Sequence, residues 1–227
     1  MLENKFRAVL FDLDDTLYSR KDGAERTFPE MFHRYLYPSA SESEIAERVA
    51  FMMTKVQRDS MICEEAFDAL LEKFPSEIPY DRQKCVDHYY RYLPEMAVPF
   101  PETHEVLKEL KEKGLLLCMV TNVAEDRCES QWRKIRGMDL EKYFDAILLS
   151  GEIGIHKPDK RIFLMAAERI GVAPKECLFV GDNPTTDISG ALEAGMEALW
   201  LDIYPYDGRY AENSRVRRAS RLSDYFN

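Results

Sequence analysis

Apolar residues gather in five short, continuous runs: FRAVLF (6–11), LLLCMV (115–120), FDAILLS (144–150), CLFV (177–180) and ALWL (198–201). Runs this short that do not alternate with polar residues predict strands of a parallel sheet covered on both faces. Between them lie helical patterns that stop at glycine: ETHEVLKELKEKG at Gly114, EDRCESQWRKIRG at Gly137, DKRIFLMAAERIG at Gly171 and SGALEAG at Gly195. Each glycine suits the left-handed residue just past a helix end. Strand and helix alternate from about residue 100 to 202, which predicts an α/β architecture with right-handed crossovers.

Residues 19–98 break the rhythm. They hold no strand pattern but several amphipathic stretches: IAERVAFMMTKVQRD behind a capping-box pattern at Ser41, CEEAFDALLEKF (63–74) and RQKCVDHYYRYL (82–93). Proline-containing breaks separate them. The expectation is a discontinuous core, 1–18 and 99–227, with an all-helical insertion at 19–98. From about residue 203 the chain turns polar and reads as irregular, with Arg215, Arg217, Arg218 and Arg221 as a solvated edge.

Composition narrows the classes. A hydrophobic share of 45% over 227 residues supports a sizeable core. A net charge of −10 argues against a nucleic-acid footprint and leaves any anionic substrate dependent on local positive charge. The five cysteines are scattered and form no C-x-x-C pair, so neither a disulfide framework nor a zinc site is expected, and a reducing cytoplasm is the default. No signal peptide and no bilayer-spanning run is evident, so no membrane partner is expected.

The chemistry-bearing residues fall just past strands. Asp12, Asp14 and Thr16 follow the first, Thr121 and Asn122 the second, Lys157 the third, and Asp182 and Asp187 the fourth. In a parallel α/β sheet the carboxyl ends of the strands form the ligand crevice. Each short motif alone is cheap; all of them, in order and each beyond a strand, are not. Four carboxylates around an anion need a compensating cation, and a set of hard oxygens without histidine or thiolate favours Mg²⁺ over zinc. Asp15, pointing to the other face of an extended chain, reads as structural, and His156 as a loop residue.

With Asp12-x-Asp14-x-Thr16, Thr121-Asn122, Lys157-Pro158 and Gly181-Asp182 through Asp187, the chain resembles the haloacid dehalogenase-like superfamily, in the branch with a helical cap after the first strand. The resemblance covers residues 5–202. It implies a Rossmann-like core with helices on both sheet faces, Mg²⁺ dependence and an aspartyl-phosphate intermediate. Asp12 would be the nucleophile and a metal ligand, together with Asp182 and the backbone carbonyl of Asp14. Asp14 would act as general acid and base, its pKa raised by acidic neighbours. Thr121, the Asn122 N–H and Lys157 would hold the phosphoryl group, and Asp187 a metal water or Lys157. Dehalogenases lack an acid two residues past the nucleophile, so Asp14 favours a phosphatase. The expected substrate is a small phosphomonoester such as a nucleotide or sugar phosphate, handled by a cytoplasmic monomer or homodimer. A phosphomutase and a retired binding module are the alternatives. Tyr18, Arg20, Lys21, Arg26, Phe28 and Phe32 are candidates for substrate contact, with core packing the competing reading for the phenylalanines and for Tyr89, Tyr90 and Tyr92.

Overall fold

Strands form where the apolar runs lie: β1 (Ala8–Phe11), β2 (Leu116–Thr121), β3 (Ala146–Leu149), β4 (Cys177–Gly181) and β5 (Glu197–Leu201). The computed structural model describes residues 5–55, 62–203 and 213–226. The tail is not wholly irregular: Val216–Ala219 forms β6, parallel to β5. Its sequence, VRRA, has no apolar run because an edge strand needs only its backbone paired. Nor are its arginines simply solvated. Arg215 Nη1 donates to the carbonyls of Leu192 (3.1 Å) and Met196 (3.2 Å), and the Arg218 guanidinium lies 4.2 Å from the Trp200 ring centre. The stretch between Ile203 and Asn213, and the end of the Ser41 helical pattern past Lys55, lie outside the described residues.

The sheet runs β3-β2-β1-β4-β5-β6, every pair parallel. Strand order therefore reverses between β1 and β4. Phe11 sits opposite both Met119 and Val180, so the carboxyl ends of β1, β2 and β4 make a common rim.

The chain divides into two compact units, Met1–Ser19 with Pro99–Asn227, and Arg20–Val98. The second contains α1 (Arg20–Tyr35), α2 (Glu42–Met53), α3 (Glu64–Lys73) and α4 (Arg82–Met96). Its core includes Phe28 and Phe32, stacked with centroids 5.6 Å apart, and Tyr89, 6.1 Å from Phe28. Packing thus accounts for these rings. Ser41 caps α2 in a two-way box: its hydroxyl accepts the Glu44 N–H, and Glu44 accepts the Ser41 N–H at 2.8 Å.

The first unit carries α5 (Thr103–Glu112), α6 (Cys128–Gly137), α7 (Ser150–Ile153), α8 (Lys160–Arg169), α9 (Ser189–Glu193) and α10 (Ser223–Phe226) around the sheet. Residues alternate between faces. Leu10, Val120 and Phe179 join Ile162, Phe163 and Ala191 in one core layer, whereas Phe11 meets Phe144 and Phe226 at 6.2 Å. Phe163 and Phe179, both fully buried and 4.8 Å apart, each contribute about 1.5–3 kcal/mol by leaving water. Among the described residues no helix is long and apolar enough to cross a membrane.

Helix ends follow the glycines with one exception. Gly114, Gly171 and Gly195 take φ of 80°, 66° and 85°, but past α6 the left-handed residue is Asp139, at φ 54°. Continuing past Gly137 brings Met138 inward to 3% exposure, and Leu140 N–H then closes the end on the Ile135 carbonyl at 3.1 Å. Aspartate is among the few residues that tolerate that conformation.

Candidate active site

The rim between β1 and β4 gathers the buried charges. Asp12 leaves β1 with its N–H still donating to the Val180 carbonyl at 2.9 Å, which fixes its backbone against β4. The chain then turns: Asp15 adopts φ 61°, and the Thr16 and Leu17 N–H groups donate to the Leu13 carbonyl at 3.3 and 3.0 Å. Asp15 is therefore a left-handed turn residue, 2% exposed, rather than part of an extended chain. The turn brings the Thr16 hydroxyl back to Asp12 Oδ2 at 3.4 Å.

Lys157 reaches this point from beyond β3. Its Nζ lies 2.5 Å from Asp12 Oδ1 and 2.7 Å from Asp187 Oδ1. Its backbone is set by the Asn122 side chain, whose Oδ1 accepts the Lys157 N–H at 2.9 Å and whose Nδ2 donates to the Lys157 carbonyl at 3.0 Å. That clamp was absent from the sequence expectation, which gave Asn122 only a backbone role. Asp187 sits in a π-type turn, Pro184–Ile188, and its Oδ2 accepts the Asn183 N–H at 3.1 Å. Gly181 makes room for it, because a Cβ there would lie 2.4 Å from Asp187 Oδ2.

Burial raises the stakes of these charges. Asp12, Lys157, Asp182 and Asp187 are all 6% exposed or less. Burial pushes the Asp12 carboxyl up to about 7, against the pull of the Lys157 ammonium, with Asp187 and Asp14 adding to the rise. Burial alone would pull Lys157 down, but the carboxylates of Asp12 and Asp187 outweigh it, so the lysine stays charged.

Asp12, Asp182 and Asp187 each offer a carboxylate oxygen, and these oxygens lie within 4.8 Å of one another. Three carboxylates beside the Lys157 ammonium concentrate negative charge in a buried place. A hard, oxygen-seeking divalent cation fits both that charge and that donor set. Asp182 is also anchored through its backbone, whose carbonyl accepts the Trp200 Nε1–H at 2.9 Å.

Asp14 is not one of these three carboxylates and has partners of its own. Lys134 Nζ lies 2.7 Å from its Oδ1, Gln131 Nε2 donates to its Oδ2 at 2.8 Å, and the Tyr18 hydroxyl donates to Oδ1 as well. Its surroundings are thus not merely acidic. Gln131 Nε2 also donates to Thr121 Oγ1 at 2.7 Å. Tyr18, expected as a substrate contact, is fully buried beside Asp14. His156 is exposed in its loop. Sequence reading missed Gln131 and Lys134, although a signal existed. Gln131, Lys134, Ile135 and Met138 follow the i, i+3, i+4, i+7 spacing, and all four are buried at 5% or less.

Comparison with known proteins identifies the family. The haloacid dehalogenase-like hydrolase family matches residues 6–195. A glyceraldehyde 3-phosphate phosphatase from Methanopyrus kandleri is 32% identical over 96% of this chain and 96% of its own. A phosphoserine phosphatase from Thermus thermophilus is 42% identical, but over 52% of this chain and 47% of that relative. Among solved structures, a Bacillus subtilis protein described as a HAD-hydrolase, bound to magnesium, superposes with a TM-score of 0.74 over 97% of both chains; at 22% identity it speaks to the fold alone. Motifs, sheet order and relatives agree: the chain belongs to the haloacid dehalogenase-like hydrolases, in the phosphatase branch that acts on phosphoric monoesters.

Proposed function

We propose that this protein is a Mg²⁺-dependent phosphatase that hydrolyses a small phosphomonoester through an aspartyl-phosphate on Asp12. The observation that carries the reading is the convergence on Asp12 of Lys157, at 2.5 Å, with Asp182 and Asp187 at the strand-order reversal. Asp12, Asp182 and the Asp14 backbone carbonyl would hold the cation. When bound, Mg²⁺ offsets the charge of the carboxylates and of the phosphoryl oxygens.

The chain's own groups account for the rest. An Asp12 carboxylate oxygen forms a bond to phosphorus as the ester P–O bond breaks. The departing alkoxide takes the proton of the Asp14 carboxyl, leaving Asp14 ionised. Asp14 then removes a proton from the water that attacks the acyl phosphate, which releases inorganic phosphate and restores both aspartates. Thr121 and the Asn122 N–H donate to phosphoryl oxygens, and Lys157 neutralises charge that develops on them. Asp187 steadies Lys157 from the far side.

The named relatives act on glyceraldehyde 3-phosphate and on phosphoserine, which supports a small phosphorylated metabolite as substrate here. The test is phosphate release from p-nitrophenyl phosphate with and without Mg²⁺, followed by a panel of phosphorylated metabolites. Wild type should turn over only with the cation, and Asp12→Asn should be inactive. Near-normal turnover by Asp12→Asn would overturn the assignment.

A further inference from the structure

We propose that Gln131 and Lys134, from the inner face of α6, are positioning residues that set Asp14 for proton transfer and aim the Thr121 hydroxyl at the phosphoryl group. The inference rests on the phosphatase reading above.

Asp14 is bridged to Tyr18 at the start of the turn through residues 15–17, and a carboxyl there can rotate unless it is held. Both oxygens are held: Oδ1 by Lys134 Nζ at 2.7 Å and by the Tyr18 hydroxyl, Oδ2 by Gln131 Nε2 at 2.8 Å. Contacts on both oxygens fix the plane of a carboxylate as well as its direction. The donors are held in turn. Lys134 Nζ donates to Tyr18 Oη at 2.8 Å and lies 5.0 Å from that ring's centre, and Lys134 is 3% exposed.

Gln131 does a second thing. In its ionised state Asp14 can only accept, and the glutamine presents its NH₂ to it. Its other proton then goes to Thr121 Oγ1, at 2.7 Å. The threonine oxygen is therefore an acceptor in that contact, and its own proton is left to point elsewhere. One amide thus ties the group serving the leaving oxygen to the group gripping the phosphoryl oxygens. Burying a lysine and a glutamine is costly unless both are paired, and a helix face needing only to pack would carry apolar residues at these positions.

The experiment compares esters whose leaving groups need a proton to different degrees: p-nitrophenyl phosphate, a good leaving group, and glycerol phosphate, a poor one. In Lys134→Met, kcat on the alkyl ester should fall about 10²-fold, as when a general acid is mis-set, while the aryl ester falls at least ~10-fold less. Gln131→Leu should show the same selective loss and also raise KM on both esters, because Thr121 is no longer aimed. Lys134→Arg, keeping the charge and donors, should recover part of the alkyl activity; with Gln131→Asn it also keeps the question answerable if the apolar variants misfold. Equal loss on both esters, or none on either, overturns the proposal while leaving an Asp12-dependent wild type, and so the phosphatase reading, intact. A wild type inactive on both esters overturns the two together.

Discussion

Gly181→Ala isolates the geometry of the charged cluster without touching any charged group. An added Cβ would lie 2.4 Å from Asp187 Oδ2 and 2.6 Å from both Asp187 Cβ and Cγ. Ordinary contact begins at 3.4 Å, so relief requires a shift of about 1 Å. Rotating the carboxylate is not enough, because the Asp187 Cβ is itself in the way. The strand cannot yield freely either, since Gly181 is paired in register with Trp200 of β5. The π-type turn holding Asp187 must therefore move, and with it the 2.7 Å contact to Lys157 and the 3.1 Å contact to Asn183. Overpacking of this kind costs about 1–3 kcal/mol. At this chain length that lowers Tm by roughly 2–12 °C, taking 2–4 °C per kcal/mol. A displacement near 1 Å at the reacting centre costs roughly 10²-fold in rate. The assay pairs thermal denaturation with Mg²⁺-supported turnover of p-nitrophenyl phosphate below the melting range. Gly171→Ala is the control. Nothing lies within 4 Å of its added Cβ, but its φ of 66° strains an alanine, so it should lower Tm and leave turnover unchanged. A Gly181→Ala protein that melts and turns over like wild type would refute the reasoning.

Two further outcomes test the helical unit. His88 is 3% exposed, its ring 4.4 Å from Tyr92 and 5.5 Å from Tyr35, and neither ring nitrogen has a hydrogen-bond partner among the described residues. Burial holds its pKa below the usual 6.5, with Glu30 opposing and Arg34 and Arg91 reinforcing. Above 6.5 the ring is neutral folded or unfolded; as pH falls below that value the unfolded chain binds the proton first, so stability is lost until the folded pKa is passed. His88→Phe should therefore lose less Tm than wild type between about pH 7.5 and 5.5, and an equal or larger loss would count against the account. At the start of α2, Ser41→Ala should cost about 1 kcal/mol and Ser41→Gly only a few tenths, as Tm shifts with turnover unchanged; the reverse order would exclude the capping role.

The local pattern determined a great deal. Five strands announced themselves as short apolar runs because a strand covered on both faces needs apolar residues on both sides. The helix ends at Gly114, Gly171 and Gly195 were legible because a left-handed residue is a local requirement. The charged residues were placed at strand ends by counting alone. What the pattern did not contain was contact between distant segments. β6 has no apolar signature because an edge strand is held by its neighbour's backbone. The partners of Asp14 lie 117 and 120 positions away, so Gln131 and Lys134 acquire meaning only when α6 turns its inner face to the β1 turn. Asn122 as a clamp on Lys157 arises across 35 positions for the same reason. Chemical type and spacing are local properties of a chain. Which oxygen faces which ammonium is decided by packing.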